Sequence, residues 1–210
     1  METATASRTA LILALAAALT SEAFAQNPPA AAAPQPQRGG GGRGRTIRVM
    51  TLTSPAFQDG GMIATKSSQA GAESSPQLTW SDVPDSTASF VLIVHDLDAA
   101  TGREGTDDML HWLVWNIPGT ATSLPEAVPP GAQLPDGARQ ISVSGPYYRG
   151  PGAPASGPTH HYAFELYALD TMLDVPAVGA APAATRAAVL AAMAGRVRGK
   201  GVMVARYRRP

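Results

Sequence analysis

Four short stretches of the chain carry the side chains best suited to binding or acid–base chemistry. They are His95–Ala99, His111–Trp112, Tyr148–Pro154 and His160–Tyr162. Together they offer imidazoles, carboxylates and a phenol, and the Gly/Pro stretch offers backbone N–H groups that can approach a ligand closely. This set of groups could hold a small anion such as a phosphate. The Gly-x-Ser-x-Gly pattern of many serine hydrolases does not occur in the sequence.

Two apolar segments should be strands that lie beside these groups. Ser89–His95 is a β-branched run typical of a strand buried on both faces, and Asp96 follows it directly. A carboxylate there is costly to bury unless it is hydrogen-bonded or paired. His111 lies at the start of a second apolar strand, Leu110–Ile117. Each group has an ordinary alternative, since Asp96–Asp98 could form a turn and His111 could be a structural histidine.

Side-chain alternation in a third predicted strand decides which histidine can join the site. In His160–Leu169, the residues His160 and Tyr162 lie on one face, and His161 lies on the other. We therefore expect His160 and Tyr162 to reach one cavity together. The loop Tyr148–Pro154 would supply anion-binding N–H groups, although a plain surface connection would have the same composition.

Metal binding and catalysis are two further interpretations of these residues. Two histidines and one aspartate could form a metal triad, but neither His-x-Asp nor His-x-x-x-His spacing is present. We therefore expect no metal and no cofactor. An enzyme that uses Asp96, His111, His160 and Tyr162 as acid–base groups stays an alternative.

The rest of the chain predicts a mainly β fold with one late helix. Short strands are expected at Arg48–Leu52, Arg139–Ser144 and Val202–Tyr207, joined by long Pro/Gly connections. Ala183–Arg198 has apolar residues at helical spacing, and Gly199 is a suitable cap. This pattern is typical of a β-sandwich.

The N-terminus has the pattern of a secretory signal peptide. An apolar run, Ala10–Leu19, precedes the A-x-A site Ala23–Ala25. The run is shorter than the roughly 20 residues of a membrane span, so we expect no transmembrane segment. We predict a signal peptide at 1–25, a disordered Pro/Ala/Gly/Arg-rich linker at 26–45 and one domain at 46–210. The mature protein would be periplasmic or secreted.

Composition excludes some partners and some means of stabilisation. The chain has no cysteine, so it has neither disulfides nor a lipid-modified cysteine. Between Asp59 and Asp174 there are 14 acidic and 4 basic residues. We therefore expect no nucleic-acid partner for the domain.

The motifs, in their order and spacing, resemble one known family. The motifs are Ser75–Trp80, Val83–Pro84, Ser89–Phe90, Asp96–Ala99, His111–Trp112, Tyr148-x-Gly150-x-x-x-Pro154, His160–Tyr162 and Tyr167–Asp170. They resemble those of the phosphatidylethanolamine-binding proteins (PEBP), in the bacterial branch called Raf-kinase-inhibitor-like. The resemblance runs from about Met50 to Tyr207, nearly the whole predicted domain.

The resemblance implies a fold and a pocket. The fold would be an antiparallel β-sandwich with a few peripheral helices. The pocket would bind a phosphate-type anion or a phosphorylated lipid head group. By motif, its ligand-binding residues would be Asp96, His111, Gly150, Gly152, Pro154, His160 and Tyr162, with Trp112 and Tyr148 as its wall. The family also includes inhibitors of kinases and proteases, so an interaction module is an alternative, and the resemblance allows a homodimer.

Two departures from the family pattern fall at the pocket rim. Leu97 and Ala100 stand where the family has prolines, so the rim is expected to differ in shape. We further expect protonated His111 or His160 to supply positive charge, in which case affinity for phosphate-like ligands would fall as the pH rises.

Overall fold

The computed structural model describes residues 46–100, 108–177 and 180–210. The predicted signal peptide and linker, residues 1–45, lie outside the described residues. Within the described part, no helix combines the length and apolarity needed to cross a membrane.

Six strands form the larger sheet. In spatial order they are β1 (Arg48–Val49), β9 (Val197–Tyr207), β8 (His160–Leu169), β4 (Ser89–Ala100), β5 (Asp108–Pro118) and β7 (Arg139–Ile141). The outer pair β1 and β9 is parallel, and every other neighbouring pair is antiparallel. The long antiparallel strands β4, β5 and β8 are adjacent. The C-terminal end of β4 therefore lies beside the N-terminal ends of β5 and β8.

A smaller antiparallel sheet and two helical segments complete the described fold. The sheet contains β2 (Thr51–Thr53), β3 (Leu78–Ser81) and β6 (Ser123–Leu124). A short 3₁₀ helix spans Thr65–Ser67, and the helix α1 spans Pro182–Met193. The predicted mainly β fold with one helix near the C-terminus is confirmed.

The central strand β4 is buried on both faces, as its apolar run predicts. Phe90, Leu92 and Val94 join a core that also contains Leu52, Trp80 and other side chains of the smaller sheet. The alternate residues, Val91 and Ile93, pack on the opposite face with residues of α1. Apolar burial on both faces fixes the register of β4, because a slip by one residue would exchange its two faces.

Three sequence-based expectations about elements are corrected. The segment Asp96–Asp98 is not a turn, because β4 continues to Ala100 and Asp96 pairs with Tyr162 of β8. The helix ends at Met193 instead of Arg198, since Gly195 adopts a left-handed φ of +73° and stops it. One of the expected long Pro/Gly connections, 118–137, contains the strand β6, which forms only by pairing with β3, a segment distant in sequence.

A charged cluster lies on the α1 side of the sheet. The Nδ1 atom of His95 contacts the Asp108 carboxylate, and its Nε2 lies 3.4 Å from Oε2 of Glu165. Arg186 of α1 pairs with Asp108, and Nζ of Lys200 lies 2.6 Å from Oε1 of Glu165. Burial lowers the pKa of His95, but hydrogen bonds and charge from Glu165 and Asp108 outweigh it, so this pKa is raised. The hydrogen bond with His95, followed by Lys200, lowers the pKa of Glu165 to about 2.

The raised pKa of His95 makes its stabilising effect depend on pH. The contribution is complete below the unfolded-state pKa of about 6.5 and is lost as the pH rises through the folded-state value. We expect His95→Gln to lower the free energy of unfolding by about 1–3 kcal/mol at about pH 5.5, and by less at about pH 9. Urea unfolding at both pH values measures the difference. His161→Gln, at an exposed imidazole, is the control; an equal loss for His95→Gln at both pH values would contradict this account.

Candidate functional site

Asp96 is a buried carboxylate whose oxygens are both occupied. It is 3% exposed and is the last buried residue along strand β4. Its Oδ2 lies 2.9 Å from Nδ1 of His160, and its Oδ1 accepts a 2.9 Å hydrogen bond from the N–H of Asp98. The register between β4 and β8 produces this contact, because it places Asp96 opposite Tyr162, two residues from His160. A buried charge with these partners is tolerated.

His111 joins β5 to the loop at 148–154 through two hydrogen bonds. The N–H of Arg149 donates to the His111 carbonyl at 3.0 Å, and Nδ1 of His111 lies 2.9 Å from the Arg149 carbonyl oxygen. The ring is 1% exposed, and its Nε2 has no hydrogen-bond partner among the described residues. Burial lowers the pKa of His111, so the ring is neutral near pH 7.

Tyr162 lies beneath the two histidines. Its ring meets that of His111 edge to face at 5.0 Å and stacks at 6.4 Å with that of His160. Its hydroxyl oxygen accepts hydrogen bonds from the N–H groups of Gly152 and Ala153, both at 3.3 Å. Burial, followed by the Asp96 carboxylate, raises the pKa of Tyr162, which keeps the phenol protonated. The predicted pairing of His160 and Tyr162 on one face is therefore present.

The loop at 148–154 differs from the expectation of free N–H groups. The N–H of Gly150 donates to Oε1 of Glu73 at 3.2 Å, and its carbonyl accepts from Nε2 of Gln69 at 2.8 Å. A Cβ at Gly150 would lie 2.5 Å from the carbonyl oxygen of Ser67, so only glycine allows this close packing. With the N–H of Gly152 on Tyr162, the loop is held by protein acceptors instead of offering unoccupied donors.

A cavity of about 160 Å³ opens between these elements. Its described lining comprises Gln69, Asp96, Ala99, Met109, His111, Arg149, Gly152, Ala153, Pro154 and His160. Five of the seven predicted ligand-binding residues therefore lie on it. The other two, Gly150 and Tyr162, lie behind the lining and support it through the contacts described above.

Trp112 and Tyr148, expected as the pocket wall, belong instead to the core. The indole Nε1 of Trp112 donates to Oε1 of Gln140 at 2.8 Å, and its ring meets that of Tyr148 edge to face at 5.4 Å. The Tyr148 hydroxyl donates to the Ser67 carbonyl at 3.0 Å. Neither side chain lines the cavity. Both side chains are buried and hydrogen-bonded in the core, so they hold the loop at 148–154 in place from its core side.

Five lining residues were not among the predicted ligand-binding residues: Gln69, Ala99, Met109, Arg149 and Ala153. Arg149 is the most informative, since its Nη2 donates to Oε1 of Gln69 at 3.3 Å while its Nε is buried without a hydrogen-bond partner among the described residues. Its rarity was an available signal, because it is one of four basic residues between Asp59 and Asp174. Gln69 comes from a distant segment with no local motif.

The charges at the cavity differ from those expected. Because burial lowers the pKa of His111, this ring does not supply the expected positive charge. The permanent cation on the lining is the guanidinium of Arg149, and the carboxylate of Asp96 faces His160. In the described residues, no group of three or more His, Asp or Glu side chains is arranged to hold a metal ion.

Comparison with known proteins agrees with this architecture. The sequence profile of the phosphatidylethanolamine-binding protein family matches residues 53–208. A protein of Methanothermobacter thermautotrophicus named UPF0098 protein is 41% identical over 162 residues, which cover 76% of this chain and 99% of that protein.

Two solved structures share the fold at recognisable sequence identity. The crystal structure of CT736 from Chlamydia trachomatis, described as a PEBP homologue, has a TM-score of 0.64 at 32% identity. It covers 78% of this chain and 99% of CT736. The crystal structure of Escherichia coli YbcL, described as a member of the mammalian PEBP family, has a TM-score of 0.65 at 28% identity and covers 77% and 99% of the two chains. The chain therefore belongs to the phosphatidylethanolamine-binding protein family.

Proposed function

We propose that this protein is exported and binds a small phosphoryl anion, free or as part of a lipid head group, in the cavity beside Asp96, His111 and His160. The observation that carries the proposal is a pair of buried nitrogen atoms, Nε of Arg149 and Nε2 of His111. Neither has a hydrogen-bond partner in the described part of the chain, and both belong to residues that line this cavity. Buried polar atoms are nearly always paired, so an unpaired set at one cavity indicates a ligand.

The chemistry of the lining favours an oxyanion over an apolar ligand. Arg149 supplies a permanent positive charge and one unpaired donor, Nε, because its Nη1 and Nη2 donate to Ser144 and Gln69. His160 adds a second polar ring, held by its 2.9 Å contact with Asp96. The cavity is about 160 Å³, which fits a head-group-sized molecule and leaves the hydrocarbon part of any lipid outside. Membership in a family named for binding phosphatidylethanolamine supports the same ligand class.

Calorimetry tests the anion site directly. We expect inorganic phosphate and phosphoethanolamine to bind the mature wild-type chain saturably at about pH 6. Arg149→Gln removes the permanent charge and should weaken binding about tenfold or more, and His160→Ala should also weaken it. His161→Ala is the matched control, because His161 lies on the opposite face of β8 and is exposed. Absence of binding by the wild-type chain, or equal binding by all three variants, would contradict the proposal.

Export is supported by the sequence pattern of residues 1–25. Expression of the full chain in a bacterial host should yield a protein in the periplasm or medium whose N-terminal residue is Gln26. Mass spectrometry of the intact protein measures this. A protein that begins at Met1 and stays in the cytoplasm would contradict export without affecting the anion site.

A further inference from the structure

We propose that the cavity selects a singly protonated phosphate monoester over a fully ionised oxyanion, because the buried Nε2 of His111 must accept a hydrogen bond from the ligand. The inference rests on the proposed anion site and specifies the ligand form that this site takes. Its basis is the arrangement of donors and acceptors around one buried ring.

The first step is the tautomer of His111. Its Nδ1 lies 2.9 Å from the carbonyl oxygen of Arg149, and a carbonyl oxygen can only accept. Nδ1 therefore carries a proton. In a neutral imidazole the other nitrogen is then an acceptor with a lone pair. That nitrogen, Nε2, is buried and has no hydrogen-bond partner among the described residues.

The second step is that the ring stays neutral near pH 7. Burial is the largest effect on the pKa of His111 and lowers it. The Asp96 carboxylate of β4 and the backbone carbonyls of Arg149 and Gly150 oppose this effect, while the Arg149 guanidinium adds to it. From β8, Tyr162 presents its ring to His111, and His160 is held by Asp96. The net direction is downward, so Nε2 remains an acceptor.

The third step is the ligand that satisfies all of these groups. The unpaired Nε–H of Arg149 requires an acceptor, and the positive charge of the guanidinium favours an ionised oxygen there, whereas Nε2 of His111 requires a donor. A singly protonated phosphate monoester has both, in its P–O⁻ and P–OH groups. A sulfate ester or a phosphate dianion has acceptors alone and would place a lone pair against that of Nε2. A phosphodiester, which is the form of phosphate in a phospholipid head group, lacks the P–OH group as well. Of the two sources named in the proposed function, the inference therefore selects the free monoester.

The selectivity predicts a pH dependence that needs no histidine to titrate. The second pKa of a phosphate monoester is about 6, so above that value the singly protonated fraction falls about tenfold per pH unit. The apparent affinity falls by the same factor, since the competent fraction of the ligand limits binding.

Methyl phosphate and methyl sulfate form a matched pair of probes for calorimetry with the mature chain. At about pH 6.5 the lowered pKa of His111 leaves the ring mainly neutral, and the singly protonated fraction of methyl phosphate is still substantial and differs from methyl sulfate in one O–H group. We expect methyl phosphate to bind at least about tenfold more tightly at this pH, and to lose most of this advantage at about pH 8. Dimethyl phosphate and glycerophosphoethanolamine test the diester form; the second also carries an ammonium donor.

Three results would overturn the inference. The first is equal affinity for methyl phosphate and methyl sulfate. The second is an affinity for methyl phosphate that does not fall between about pH 6 and pH 8. The third is tighter binding of either diester than of methyl phosphate. In each of these cases an anion still binds, so the proposed function survives. Absence of binding by every probe would overturn the anion site itself.

A variant tests whether the imidazole of His111 causes the selectivity between the two esters. His111→Gln presents either an amide N–H or a carbonyl to the cavity, so the ratio of the two affinities should fall towards one. His161→Gln is the control, since that imidazole bonds to Asp98 outside the cavity, and it should keep the wild-type ratio. An unchanged ratio in His111→Gln would contradict the role of Nε2. If this variant does not fold, the comparison of the two esters on wild-type protein still decides the inference.

Discussion

The pair of hydrogen bonds between His111 and Arg149 is the contact on which the rest of the site depends. One bond uses backbone atoms alone, and the other joins the imidazole to a carbonyl, so strand β5 and the loop at 148–154 are fixed together at 3.0 and 2.9 Å. This arrangement uses Nδ1 and leaves Nε2 without a protein partner. A single contact thereby positions the loop and sets the tautomer of the ring, and under the proposed function it determines what a ligand must supply.

The sheet also keeps two polar clusters apart, although they use neighbouring residues of β4. Along β4, Asp96 lines the cavity and contacts His160, whereas the preceding residue, His95, contacts Asp108 and Glu165 on the α1 side. Alternation along a strand makes this separation unavoidable. The two clusters also shift the histidine pKa in opposite directions. Burial lowers the pKa of His111, whereas the nearby carboxylates raise the pKa of His95.

Local sequence patterns identify the strands and faces that build the site, but they do not identify all of its contacts. The apolar run of β4 and the parity of His160 and Tyr162 are properties of neighbouring residues, and both predictions hold in the structure. The acceptor for the Gly150 N–H is Glu73, which lies 77 residues away along the chain. No local pattern indicates that contact, so the N–H group was expected to be free.

The same limit explains the remaining differences. Trp112 was expected at the pocket wall because it adjoins His111 in the family motif, but its side chain packs in the core against Tyr148 and Gln140. The β4–β5 pairing shifts register at this point, between Val94–Trp112 and His95–Leu110, and no local pattern indicates that shift. Leu97, one of the two departures from the family's prolines, is 52% exposed and is not among the described residues that line the cavity.

The protonation of His111 is the most direct test of this account, because positioning of the loop and choice of ligand both follow from it. Nitrogen-15 NMR of the histidine rings distinguishes the two neutral tautomers and the imidazolium. The structure predicts that His111 is neutral at about pH 7, with its proton on Nδ1. A proton on Nε2, or an imidazolium at this pH, would contradict the account.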